Sequence, residues 1–218
     1  MIMSGKCSSI VSDSIDLSDD KGVVQDLPLN VHALLVEMYK SSIPRYSELS
    51  VKYEEELRKA ANRRQKSTFP PFNTWIPVGG LQSGDLELLK GPDRHACVCK
   101  RLLLKDKNTG RLITYAADKD ELNHPRFSCS YVQVLGYSEP PRLGQIKLCF
   151  THTFYGQTHE FVLLNAFTQP QLDAQCGLWW IHNWHDVQTE YVLKPSLLSS
   201  PLVVANEEDK LWFLTVSH

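Results

Sequence analysis

The stretch from Gln145 to Phe154 constrains this chain more than any other. Ile146, Leu148, Phe150 and Phe154 fall on even positions, while Gln145, Lys147, Cys149, Thr151 and Thr153 fall between them. An extended chain sends successive side chains to opposite faces, so the pattern predicts a long strand with one face on a core. The turn Tyr155-Gly156-Gln157-Thr158 leads into a second apolar strand, His159 to Phe167. Strands need neighbours. These are expected at Ala96 to Leu104 and Arg111 to Tyr115, joined as a hairpin through Asp106 to Gly110, and at Cys129 to Tyr137. Further strands are expected at Gly177 to His182, Thr189 to Leu193, Leu202 to Ala205 and Lys210 to Val216. Pro195 to Pro201 is too short and proline-bounded for an α-helix and fits a single 3₁₀ turn. The chain is therefore expected to be mainly β (α+β), with residues 92–218 forming a small antiparallel barrel of SH3-like, Tudor-like or BAH-like form.

Ahead of this β-domain the pattern changes twice. In residues 28–66, Val31, Leu34, Leu35 and Met38 lie at i, i+3, i+4 and i+7, which predicts a helix capped by Asn30 and ending near Lys40. Ser42-Ile43-Pro44 breaks it and starts a second helix, with Tyr46, Leu49, Tyr53, Leu57 and Ala60 on one face and Glu54/Arg58 and Glu55/Lys59 paired at i, i+4. Residues 67–91 hold Pro70, Pro71, Pro77, Gly79, Gly80, Gly84 and Gly91 and read as a connector. Residues 1–27 are rich in serine and aspartate and poor in large apolar groups, so a disordered tail is expected there.

Several function classes are disfavoured by composition. The 23 basic and 25 acidic residues nearly cancel, so no global field draws the chain to phosphate. No apolar run approaches the roughly 18 to 20 residues that span a bilayer. Six scattered cysteines do not form the framework of a disulfide-stapled secreted domain. An intracellular chain with reduced thiols and no membrane partner is expected. The sequence contains no G-x-S-x-G, P-loop, H-E-x-x-H or G-x-G-x-x-G motif, and the β-rich pattern offers no α/β frame for three metal-binding carboxylates.

Five clusters carry possible chemistry. Trp179, Trp180, Trp184, Tyr191 and Trp212 are candidates for an aromatic cage around a methylated ammonium, or for core filling. Trp179 and Trp180, being adjacent in a strand, must point to opposite faces. Arg58, Lys59, Arg63, Arg64 and Lys66 are candidates for phosphate contact, or simply a solvated helix end. Ile15, Asp16, Leu17, Asp19 and Asp20 resemble a SUMO-interacting motif, in which a short apolar strand adds to a sheet edge. His95, Cys97 and Cys99 form H-x-C-x-C, to which Cys129, Cys149 or His152 would have to be added for zinc, and C-x-C lacks the usual knuckle. His182 to Asp186 brings two histidines and an aspartate to one loop, where a polar turn is the plain alternative. No cofactor is expected.

Two stretches resemble a known class. Val31 to Arg45, VHALLVEMYKSSIPR, resembles the short helix, Ile-Pro-Arg and second helix found early in open reading frames of eukaryotic DNA transposons. Arg142 to Leu214 resembles the small β-domain near their C-termini, with Gly144, Ile146, Phe150, His152 and Gly156 matching its G-x-I-x-x-x-F-x-H and glycine turn. The region that would carry the RNase H-like catalytic acids is missing, so the resemblance implies a nuclear remnant that binds rather than cuts. The leading expectation is a non-catalytic, transposon-derived interaction module with a protein or chromatin partner. The alternatives are a nucleic-acid-binding accessory domain and a zinc-dependent hydrolase.

Overall fold

The structure, a computed structural model, describes residues 22–64, 81–82, 84–105, 110–117, 130–136, 140–168, 170–182, 189–207 and 209–214, with only the backbone given for 60–64. The elements are β1 (Val23–Asp26), α1 (Leu29–Ser42), α2 (Pro44–Arg64), α3 (Asp85–Lys90), β2 (His95–Cys99), β3 (Arg101–Lys105), β4 (Leu112–Ala116), β5 (Tyr131–Val134), β6 (Arg142–Phe154), β7 (Gln157–Ala166), β8 (Gln171–Leu172), β9 (Trp179–His182), β10 (Thr189–Leu193), a 3₁₀ turn (Pro195–Leu197), β11 (Val203–Glu207) and β12 (Lys210–Leu214). The fold is mainly β and every described strand pair is antiparallel.

The long strand foreseen from the alternation is β6, the spine of a six-stranded sheet ordered β1-β2-β6-β7-β10. β7 runs along one edge of β6, while β5 and β2 share the other edge end to end, β5 on Arg142 to Gln145 and β2 on Cys149 to Thr151. The tight β6–β7 connection works because Tyr155 (φ 52°) and Gly156 (φ 71°) both take left-handed backbone, as a type I′ hairpin turn requires. β3 and β4 form a separate two-stranded sheet, and β11-β12-β9-β8 form a third. None of these sheets closes into a barrel. The expected strand from Ala96 to Leu104 is two strands: the chain bends at Lys100 and passes from the large sheet to the small hairpin.

A second correction concerns the alternation itself. Ile146 opposes Leu164 and Leu148 opposes Leu163, so Lys147 is an extra residue on β6. A one-residue bulge inverts the facing of everything after it. Ile146 accordingly packs with Cys149, Val162, Leu164, Val132 and Val134 beneath the β3–β4 hairpin, through Leu102 and Tyr115. Leu148, Phe150 and Phe154 pack with Phe161 and Leu163 on the opposite face, beneath the helices. Both faces of the central strands are buried. A third cluster, Tyr131, Leu143, Phe167, Ile181, Leu202, Leu211 and Phe213, joins the end of the large sheet to the four-stranded one.

The helices follow from their apolar spacing, with amendments. Val31, Leu35 and Tyr39, at i, i+4 and i+8, are the buried residues of α1. Asn30 is not its cap: Pro28 holds the N-cap position, and Asn30 Nδ2 donates to Glu190 on β10 at 2.7 Å. Among its described residues, α2 contributes Tyr46 and Leu49 to the buried core. Leu57 further along is 42% exposed. Its ion pairs also differ from expectation, with Lys59 on Glu56 at 2.6 Å and Lys52 on Glu48 at 2.8 Å. The expected connector contains α3, and the expected tail ends in β1, which pairs with β2. Backbone pairing ordered β1 despite its exposed side chains.

Candidate functional site

The most organised polar cluster lies where α1 crosses β6. Tyr39 Oη is 3.0 Å from His152 Nδ1, and His152 Nε2 is 3.2 Å from the Asp93 carbonyl oxygen and 3.3 Å from its carboxylate. A ring nitrogen facing oxygen acceptors must donate, so Nε2 carries the proton and Nδ1 accepts from the phenol. His32 Nε2 on the Pro92 carbonyl at 2.9 Å, and Arg94 on the Leu27 carbonyl, fix the same loop. Burial, helped by the charge of Asp93, pushes the Tyr39 phenol up, and burial pushes the His152 imidazole down against the opposing pull of Asp93. Burial also lowers His159, whose ring lies 6.0 Å from that of Tyr39. The order Tyr, His, Asp has the connectivity of a proton relay, yet Tyr39 and His152 are each 1% exposed. A substrate cannot reach them. Their work is to pin helix to sheet and leave no buried donor unmet.

A second buried polar contact secures the far side of the helices. Arg45 grips Asp85 with two nitrogens, at 3.2 and 2.5 Å, and the Gln82 N–H donates to the same carboxylate at 2.7 Å. Those bonds, Arg45 first, hold the Asp85 carboxyl below the usual carboxylate range.

A further polar and aromatic cluster lies on the outer face of sheet β11-β12-β9-β8, where His182 is exposed, Trp212 and Lys210 are half-buried and Trp180 is 9% exposed. Trp212 opposes Trp180, Lys210 opposes His182, and Glu207 opposes Lys210, so all share one face, while Leu211, Phe213 and Ile181 turn to the core. The Trp180 and Trp212 rings are 6.0 Å apart at 43°. Lys210 Nζ lies 4.4 Å from the Trp180 ring and 5.5 Å from the Trp212 ring. The His182 ring stands edge-on to Trp180 at 4.5 Å. Trp212 Nε1 is buried with no hydrogen-bond partner among the described residues. At the β8–β9 loop Asp173 accepts the N–H groups of Cys176 and Gln175, and these bonds, with a contribution from Lys210, lower its carboxyl. No protein-family model matches the chain, and no curated protein or solved structure is significantly similar to it.

Of the described aromatic cage candidates, the fold brings together Trp180 and Trp212. Trp179 packs against the third core cluster. Tyr191 belongs to β10 of the large sheet, beneath the Arg142 guanidinium at 4.9 Å, and Trp184 lies outside the described residues. The cation between the two indoles is the chain's own Lys210. Arg58 and Lys59 are exposed on α2, Lys59 being tied to Glu56; the side chains of Arg63 and Arg64, and Lys66 entirely, lie outside the described residues. So do Ile15, Asp16, Leu17, Asp19 and Asp20, and Asn183 to Asp186.

His95, Cys97 and Cys99 share one face of β2, with Cys99 opposite Cys149. Burial and the neighbouring Cys99 push the Cys149 thiol up. His152, one of the proposed fourth ligands, belongs with Phe150 and Phe154 on the helix side of β6, whereas Cys99 packs on the hairpin side. His95 is turned outward to Asp26 at 3.4 Å, and no group of three potential ligands forms among the described residues.

The residues that carried the transposon resemblance all have structural work. A Cβ on Gly144 would meet the Asn165 carbonyl oxygen at 2.7 Å, and Gly156 makes the hairpin turn. Phe150 is core, His152 anchors α1, and Arg45 of Ile-Pro-Arg holds α3. The Tyr39–His152 pair was missed from sequence, although the i, i+4, i+8 spacing of Val31, Leu35 and Tyr39 marks Tyr39 as inward-facing.

Proposed function

We propose that this chain is a non-catalytic interaction module, descended from accessory regions of a DNA-transposon open reading frame, that holds a protein or chromatin component in the nucleus. The outer face of sheet β11-β12-β9-β8 is its contact surface. The observation that carries this reading is the Trp180–Trp212 pair on the side of the sheet away from the core, with Trp212 half-buried over the buried Trp180, Lys210 above them and the exposed His182 at their edge. Indoles offer large rigid contact area at low entropy cost, and tryptophan is among the residues that dominate binding energy at interfaces. The sealing of Tyr39 and His152 speaks for architecture rather than chemistry at the other organised cluster. The transposon origin and the nuclear location rest on the resemblance of Val31 to Arg45 and Arg142 to Leu214.

A nucleic-acid role for α2 is the weaker reading. Glu54, Glu55 and Glu56 stand one turn before Arg58 and Lys59, and their charge opposes phosphate. The test is quantitative recovery of proteins from nuclear extract on immobilised full-length chain, beside fluorescence microscopy of the tagged chain in cells. Recovery of one protein in proportion to bait, with nuclear fluorescence, is expected. Cytoplasmic fluorescence, or no protein enriched over a blank matrix, contradicts the proposal.

A further inference from the structure

The second half of α2 is a helix without a described core beneath it. Tyr46 and Leu49 join the helix-covered cluster, but no described residue of α2 after Leu49 belongs to any buried cluster. Val51 is 54% exposed and Leu57 42% exposed, with Tyr53 half-buried between them. From Ser50 to Arg64 the helix runs on for about 22 Å. A helical segment of that length is marginal in water unless an apolar stripe is covered.

The charges along this segment are ordered rather than mixed. Past Lys52, which pairs back to Glu48 at 2.8 Å, Glu54, Glu55 and Glu56 come first, and Arg58, Lys59, Arg63 and Arg64 follow, with Leu57 at the boundary. Two such helices laid antiparallel about Leu57 set each acidic block against the other's basic block, whereas a parallel arrangement sets like against like. A polyanion gains little here, because the acidic block sits within one turn of the bases. Charge order and exposed leucine therefore select the same partner. We propose that the second half of α2 is a self-association surface, on which two copies of this chain pair antiparallel through Tyr53 and Leu57 with reciprocal contacts between Glu54–Glu56 and the cations from Arg58 onward. The site is separate from the aromatic face and stands whether or not that face binds anything.

A helix pair of this size falls at the small end of specific interfaces, so a weak, reversible dimer is expected. Sedimentation equilibrium of the full chain between about 5 and 200 µM tests it. The wild type should shift from monomer to dimer across that range and shift back as salt rises. Leu57→Asp should stay monomeric. The triple change Glu54→Lys, Glu55→Lys and Glu56→Lys should stay monomeric as well, and adding Arg58→Glu, Lys59→Glu, Arg63→Glu and Arg64→Glu should restore the dimer, because complementarity is then reversed but intact. Circular dichroism checks folding; should Leu57→Asp unfold the chain, Leu57→Ser and the charge series decide. A wild type monomeric throughout, or a dimer indifferent to either the leucine change or the acidic reversal, overturns the proposal.

Discussion

The helix-covered half of the large sheet and the outer face of the C-terminal sheet use their polar and aromatic residues in opposite ways. Under α1, Tyr39, His152, Phe154 and Phe161 are packed ring against ring, and the polar atoms of Tyr39 and His152 meet acceptors or donors of the chain itself. On the C-terminal sheet, Trp180 and Trp212 are tilted at 43° to each other on the side away from the core, with Trp180 buried, Trp212 half-buried and Lys210 over both rings. The first arrangement uses aromatic groups to fix the fold. The second leaves Trp212 and Lys210 half-buried at the surface, the position that the proposed contact uses.

The largest expected effect breaks the closed half. Phe150 is fully buried among Tyr39, Phe161 and their neighbours, so Phe150→Ala should cost roughly 3 to 5 kcal/mol in chemical denaturation. Next comes Tyr39→Phe, which leaves the His152 Nδ1 acceptor unmet in a sealed site and should cost about 1 to 3 kcal/mol by the same measurement. Gly84→Ala is expected to cost about 1 to 2 kcal/mol, since φ is 91° there and a Cβ would come within 2.9 Å of Tyr155 Oη. The smallest stability effect belongs to the open face: Lys210→Ala should cost no more than about 1 kcal/mol, the usual size of a partly exposed cation–π contact.

Acid sharpens the same contrast. The His152 imidazole is held below its ordinary value of 6.5, burial outweighing Asp93, so the unfolded chain binds the proton first. The stability it contributes is complete above pH 6.5 and is lost as pH falls through the lower folded value, and the lowered His159 acts in the same sense. Melting temperature measured from pH 7.5 downward should fall below pH 6.5 in the wild type and fall less in His152→Gln. A parallel decline in both would show that the buried histidine is not the group responsible.

How much of this was legible in the sequence differs between the two regions for a physical reason. Thr189 to Leu193 emerges at its expected bounds, and the Pro195 turn stands between β10 and β11 as expected, because apolar alternation and proline act locally. The bulge at Lys147 was not legible: nothing local marks the residue that β7 leaves unopposed, and so Ile146 was assigned to the wrong face. β1 and α3 were lost for a related reason. Val23 to Asp26 gains its order from β2 rather than from its own side chains, and Gly84 and Gly91, read as turn formers, bracket a short helix held by Arg45. On the functional side, strand alternation separated Trp179 from Trp180, but only cross-strand register could pair Trp180 with Trp212 and put Tyr191 in another sheet.

The most direct test of the division between a closed, architectural half and the sheet proposed as the contact surface places one variant from each region in the same experiment. Trp212→Glu and Tyr39→Phe are compared with the wild type for melting temperature and for quantitative retention of nuclear proteins by the full chain. The account predicts that Trp212→Glu melts within a few degrees of the wild type and loses the retained proteins, whereas Tyr39→Phe melts lower and retains them while folded. Retention unchanged in Trp212→Glu, or lost in folded Tyr39→Phe, would contradict it.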